Sequence, residues 1–182
     1  HHTSSRRQRQ MCIRDSLING KIVTDADKTQ DVFNPSSGEV SKQVALANRA
    51  TVNEAIAAAE KAFVSWRNTP AMKRARVMFK FKDLLEQHST KICDLIGQEH
   101  GKIAHDAAGE LQRGIENVEY ACCAPELLKG EHSKNVAPGI DSWSEMQPLG
   151  VVAGITPFNF PAMVPLWTVS YTHLRAHETN VD

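Results

Sequence analysis

The residues with types suited to chemistry gather in one short stretch and along one helix. Asn159 stands in Thr156-Pro-Phe-Asn-Phe-Pro161, where Pro157 and Pro161 restrict the backbone on either side. A carboxamide offers two N–H donors and no net charge. Held rigidly, it can steady negative charge developing on an oxygen, and one fixed donor of that kind is worth about 3–4 kcal/mol of barrier. Asn159 can equally be a turn residue capping a helix that begins at Pro161, since Asn is a good cap and Pro a favoured first helical residue. Arg113 carries a planar fork of donors that matches a carboxylate. Its plain alternative is a surface ion pair with Glu110, Glu116 or the neighbourhood of Asn117. Glu99-His100 could be imagined as an acid–base pair, but adjacent helical residues point different ways, so a helix terminus is the simpler reading. Cys122-Cys123 could be redox-active, yet cysteine commonly behaves as a small buried hydrophobe. No Cys/His spacing points to zinc, and no G-x-G-x-x-G occurs.

The elements that must position these groups follow from local pattern. Gly150-Val-Val-Ala-Gly-Ile155 is a short apolar run without charge, as expected of a strand buried on both faces of a parallel sheet. The prolines then end it in a stiff turn near Thr156, and the carboxyl end of a parallel strand is where open α/β sheets bind ligands. Upstream, Leu17–Val23 holds the Asn-Gly signal of a tight hairpin, and Val32–Val40 reads as strand, turn and strand. Thr51-Val-Asn-Glu54 has the form of a capping box before a helix ending near Trp66. Further helices are expected over Ala71–Gln87, from Ser89 or Thr90 to about Gln98, and over Ala104–Leu128. Gly101 is free to end the third, and Gly109 and Gly114 weaken the fourth while permitting a close neighbour. Val136–Gln147 reads as an extended connection.

The wording of these segments carries a resemblance. Gly154-Ile-Thr-Pro-Phe-Asn-Phe-Pro161 resembles the strand-to-loop motif of the aldehyde dehydrogenase superfamily. Ala162-Met-Val-Pro-Leu-Trp167, Glu99-His-Gly-Lys102, Gln112-Arg-Gly114 and Leu127-Leu-Lys-Gly130 are similar to its CoA-acylating methylmalonate-semialdehyde branch. The resemblance covers roughly Leu17 to Trp167 and is specific in the combination of motifs. It implies an α/β fold, the N-terminal part of an incomplete Rossmann-like NAD-binding domain with helices and β-hairpins. It implies Asn159 as the oxyanion donor, Thr156 and Phe158 as contacts to NAD, and Arg113 in recognition of the substrate carboxylate. It further implies a small-molecule aldehyde as substrate, coenzyme A as co-substrate, and a homodimer or homotetramer for the full-length protein. The 136–147 region belongs in this superfamily to strands at the oligomer contact. The nucleophilic cysteine, the general-base glutamate and the adenosine-ribose contacts are expected beyond Trp167, so the chain as given is expected to be inactive. An ordinary aldehyde dehydrogenase that releases a free acid is a second reading, and a non-catalytic interaction module a third.

The two ends follow a different logic. Met11-Cys-Ile-Arg-Asp15 can be encoded by ATG TGT ATA AGA GAC, whose reverse complement encodes Val169-Ser-Tyr-Thr-His173. The pair resembles a transposase recognition sequence used in sequencing libraries. Residues 1–16 and 168–182 are therefore expected to be non-native, leaving 17–167 as the interpretable region. Across the whole chain 21 basic residues balance 21 acidic ones. Within 17–167 the balance is slightly acidic, so the arginines near the N-terminus signal neither nucleic acid nor a presequence. No apolar run approaches the ~20 residues of a membrane span. Unpatterned cysteines suit a reducing compartment, the cytoplasm or, in a eukaryote, the mitochondrial matrix.

Overall fold

The computed structural model describes residues 13–24 and 27–174. Residues 1–12 and 175–182, most of the two ends expected to be non-native, lie outside the described residues. The chain divides into two units, 1–58 and 59–182, and each is described by itself.

The first unit holds short strands. β1 (Ile13–Arg14) runs parallel to β5 (Val40–Leu46), and β4 (Lys28–Phe33) pairs antiparallel with β5, giving the order β1-β5-β4. β2 (Ser16–Ile18) and β3 (Lys21–Val23) form a separate hairpin. Asn19 and Gly20 both take positive φ, 50° and 72°, which a tight two-residue hairpin turn requires. Between β4 and β5 the Asn34 side chain accepts the Ser36 N–H at 2.9 Å, and the Gly38 N–H reaches the Asn34 carbonyl at 2.8 Å. Both hairpins are where the sequence placed them.

The start of α1 (Arg49–Trp66) differs from expectation. Asn48 Oδ1 accepts the Thr51 N–H at 2.9 Å and the Thr51 hydroxyl at 3.0 Å. Asn48 is thus the capping residue and Thr51 lies inside the first turn. Because the helix already starts at Arg49, the Asn48 carboxamide oxygen accepts the first-turn amide of Thr51, and Thr51 stands too late in the helix to act as its cap.

The second unit is mostly helical. α2 (Ala71–Gln87) follows Pro70, whose extended backbone suits a helix entry. α3 (Ser89–His100) ends at Gly101, where φ of 85° is the left-handed stop, and Ser89 is its first residue rather than its cap. The expected single helix over 104–128 is two: α4 (Ala104–Ala121) and a short α5 (Ala124–Leu127). Pro125 explains the break, because it has no N–H to donate and its ring would collide with the carbonyl of Ala121. Among the described residues β6 (His132–Ala137) and β7 (Ile140–Trp143) pair only with one another, around Gly139, so the expected extended connection is itself a hairpin. α6 (Met163–Leu174) follows the proline-bracketed turn.

The core of this unit is built from Ala75, Met78 and Leu85 of α2, Leu111, Ile115, Val118 and Ala121 of α4, and Leu166 of α6. The close neighbour allowed by the α4 glycines is α6, at Gly114: a Cβ there would lie 2.6 Å from Leu166 Cδ1. The 150–156 stretch is not a strand. No strand among the described residues pairs with it, and Ile155 is 97% exposed. A doubly buried strand needs hydrogen-bonded neighbours and cover on both faces, and this run has neither here. No helix among the described residues is long and apolar enough to cross a membrane.

Candidate functional site

The site grows from the junction of α3, α4 and α6. α4 packs its buried face against α6, and Glu110 lies on that face between Ala107 and Leu111, with no exposed surface. A charge buried so completely must be paired and hydrogen-bonded. Glu110 Oε1 accepts the backbone N–H groups of Ala162 at 2.8 Å and Met163 at 3.1 Å. These are unsatisfied donors at the start of α6, where a negative charge is favoured. Glu110 Oε2 takes the Lys102 ammonium at 2.5 Å. Burial alone raises this carboxyl's pKa, but the Lys102 donor, the two amides and the lysine charge outweigh it and hold the pKa below the ordinary value.

Lys102 serves more than the carboxylate. Its Nζ also donates to the Asn159 carbonyl at 2.8 Å and sits 4.0 Å from the centre of the Phe160 ring. The backbone of the turn is thereby tied at Asn159 by a cation and at Ala162–Met163 by an anion. Among the described residues the Asn159 carboxamide has no hydrogen-bond partner and is exposed. The helix-capping role open to Asn159 is filled by Glu110 instead.

Thr156 and Phe158 are exposed on the same turn. The Phe158 ring lies 5.8 Å from that of His100, the last residue of α3. His100 Nδ1 is buried without a partner, and the residue presents its ring to the turn. Arg113 lies one turn beyond Glu110 on α4 and is exposed. Its Nε donates to the Gly109 carbonyl at 3.0 Å, and its guanidinium carbon lies 6.0 Å from the Phe160 ring centre. The anticipated ion pairs are not formed. Glu110 is engaged by Lys102, and the Glu116 carboxylate accepts from Gln112 Nε2 at 3.1 Å. Phe160 is therefore the point where the arginine and the Asn159 turn approach each other. The carbonyl of Arg113 also accepts the Trp167 indole N–H at 3.4 Å, which ties α6 back to α4.

Lys102 and Glu110 were not singled out as site residues by the sequence alone. The signal for Glu110 was its place at helical spacing among Ala107, Leu111, Gly114, Ile115 and Val118, all on the buried face. Lys102 stands in the Glu99-His-Gly-Lys102 motif, but nothing local gives its role, since its partners are 8 and 57 positions away. The described cysteines make no contact with this site in any hydrogen bond or ion pair among the described residues. Cys93 and Cys122 have thiols raised in pKa first by burial, and Cys122 donates to the Val118 carbonyl at 3.3 Å. No group of acidic, histidine and cysteine side chains among the described residues could hold a metal ion.

Comparison with known proteins identifies the family. Residues 22–173 match the aldehyde dehydrogenase family. A malonate-semialdehyde dehydrogenase of Pseudomonas aeruginosa is 64% identical over 151 residues, covering 83% of this chain and 30% of that protein. Malonate-semialdehyde dehydrogenase 1 of Geobacillus kaustophilus is 51% identical over 146 residues, again 30% of its length. Among solved structures, methylmalonate-semialdehyde dehydrogenase of Oceanimonas doudoroffii superposes with a TM-score of 0.89 at 67% identity, over 91% of this chain and 34% of that one. A protein of Sinorhizobium meliloti described as a methylmalonate-semialdehyde dehydrogenase, solved with NAD, gives 0.84 at 40% identity over 88% and 33%. The chain thus spans about 30% of the length of the curated relatives it matches. The mixture of helices and strands is that of the N-terminal part of this fold, and the chain belongs to the aldehyde dehydrogenase family.

Proposed function

We propose that this chain is the N-terminal part of an NAD-dependent, CoA-acylating oxidoreductase. The parent enzyme converts methylmalonate semialdehyde, or malonate semialdehyde, to propanoyl-CoA or acetyl-CoA with loss of carbon dioxide. The observation that carries the reading is at Asn159. Its backbone is fixed by Lys102 and the following helix is capped by Glu110, while its own carboxamide is left without a partner among the described residues. A donor held in place but unsatisfied is what a developing oxyanion requires. Asn159 accordingly donates to the aldehyde oxygen as a thiolate from beyond this chain adds to the carbonyl carbon. NAD, when bound, accepts the hydride. Thr156 and Phe158, exposed beside Asn159, are suited to contact it through backbone and ring surface. Arg113, with its guanidinium free of acidic partners among the described residues, receives the substrate carboxylate.

Within this reading, residues 17–167 are the incomplete NAD-binding region, and 1–16 and 168–182 are non-native. Sequencing across both junctions in the source genome checks the boundaries. The parent enzyme is a homodimer or homotetramer of the cytoplasm, or of the mitochondrial matrix in a eukaryote. On this reading the nucleophile lies beyond Trp167, and the chain alone is expected to produce no NADH. The decisive experiment uses the full-length enzyme that carries this segment. Acyl-CoA formation should require coenzyme A, and Asn159→Ala should lower kcat by about 10²–10³-fold. Free acid as the only product, or an unchanged kcat in Asn159→Ala, would overturn the reading.

A further inference from the structure

We propose that Lys102 and Glu110 are positioning residues that set Asn159 for its work, an inference that rests on the oxyanion reading of Asn159. Three features point to it. Glu110 is entirely buried, and its two oxygens divide their bonds between the first amides of α6 and the Lys102 ammonium. Lys102 divides its own donors between that carboxylate and the Asn159 carbonyl. The Phe160 ring, next in sequence, lies beneath the same ammonium at 4.0 Å. The backbone is thus fastened at the Asn159 carbonyl and again at Ala162–Met163 by groups that come from outside its own segment. The bonds leave the carboxamide itself untouched, so the pair controls where the donor stands without competing for it.

An ion pair that served only to hold two helices together could use any backbone position on α6. This pair reaches instead to the carbonyl of the one residue whose side chain is the candidate donor. A shift of about 1 Å in a reacting group can lower a rate about a hundredfold. Releasing the carbonyl should therefore be felt in kcat far more than in KM. Loss of Glu110's charge should act by the same route, because Lys102 then loses the partner that aims it.

The test is a double-mutant cycle in the full-length enzyme carrying this segment, with Lys102→Met, Asn159→Ala and the two combined. Lys102→Met is expected to lower kcat about tenfold or more, with KM for aldehyde and for NAD changed less than about twofold. In the Asn159→Ala background the same substitution should change kcat less than about twofold, since a misplaced donor no longer matters once it is absent. An equal loss in both backgrounds would sink the positioning role while leaving Asn159 as donor. Full kcat in Asn159→Ala alone would overturn the donor reading, and the positioning role with it. Should Lys102→Met fold poorly, Glu110→Gln, nearly identical in shape, is read in the same cycle. Hydrogen exchange at the Ala162 and Met163 amides then reports the clamp directly. Faster exchange there with kcat lowered only in the Asn159 background supports the proposal, and unchanged exchange removes Glu110 from it.

Discussion

A methyl group added at Gly114 would lie 2.6 Å from Cδ1 of Leu166, closer than packed carbons come. It would also stand 3.4 Å from the Met163 Cα. The second is ordinary contact, but the first requires the end of Leu166, buried in the core, to turn away. α6 therefore reaches α4 as closely as it does because position 114 has no side chain. Two effects compete in Gly114→Ala. Alanine favours a helix interior by about 1 kcal/mol, while overpacking a core typically costs about 1–3 kcal/mol. The second should win, and the substitution should lower the Tm of the chain in thermal unfolding. Gly109→Ala is the control on the same helix, since its added methyl meets only the Arg113 guanidinium at 3.8 Å. It should raise stability by about 0.5–1 kcal/mol.

Acid should loosen the Asn159 turn before it loosens the rest of the unit. The folded state holds the Glu110 carboxyl below its ordinary value of 4.5. A group depressed on folding contributes stability that is fully present above its unfolded pKa. That contribution is then lost as pH falls through the depressed folded value. Unfolding followed by circular dichroism should therefore show stability falling below about pH 4.5, where the unfolded glutamate begins to take up its proton. Glu110→Gln should flatten that dependence and lower stability at pH 7, because Lys102 keeps its charge in a half-buried place. Removing one partner of a buried pair costs about 3–5 kcal/mol. The 14% exposure of the Lys102 side chain places the expected loss toward the low end.

Much of this was legible in the residues, and where it was not the reason is physical. Helices α2 and α3 follow from apolar spacing and from Pro70 and Gly101, all of them local signals. The Asn19-Gly20 hairpin follows from two residues that tolerate positive φ. The proline-bracketed turn was readable as a turn, but what holds it was not, because Lys102 reaches it across 57 positions. Thr51 reads as a cap that Asn48 in fact provides, since both residues are competent and the choice depends on where the helix starts. The 150–156 run shows the opposite failure. Its composition suits a buried strand, but strand formation depends on partners, and composition does not supply them.

The three described cysteines should separate cleanly under alkylation. Cys123 is exposed, Cys93 half-buried and Cys122 buried, and all three are free thiols. The Cys122 thiol donates to the Val118 carbonyl and is raised in pKa chiefly by burial. Since the thiolate is the reactive form, iodoacetamide at neutral pH should modify Cys123 first and Cys122 last. Peptide mapping by mass spectrometry reads the order and separates Cys12, which lies outside the described residues. A prompt Cys122–Cys123 disulfide would contradict the reading of Cys122 as a core residue.

Arg113 offers the sharpest test of substrate class. Its Nε is spent on the Gly109 carbonyl, and no ion pair among the described residues engages the guanidinium. Glu110 and Glu116, the carboxylates that could have neutralised it, are held by Lys102 and Gln112. The two terminal nitrogens therefore remain for a carboxylate from outside the chain, and the planar fork can meet both of its oxygens. Hydrogen bonds to a charged group contribute about 1.5–3 kcal/mol, which corresponds to a change of about ten- to a hundredfold. In the full-length enzyme, Arg113→Met should raise KM for a semialdehyde that bears a carboxylate by about that factor. KM for propanal, which lacks the carboxylate, should stay nearly constant. Arg113→Lys should recover only part of the loss, since an ammonium keeps the charge and loses the fork. Equal increases for both aldehydes would show that Arg113 supports the fold around Phe160 rather than the substrate.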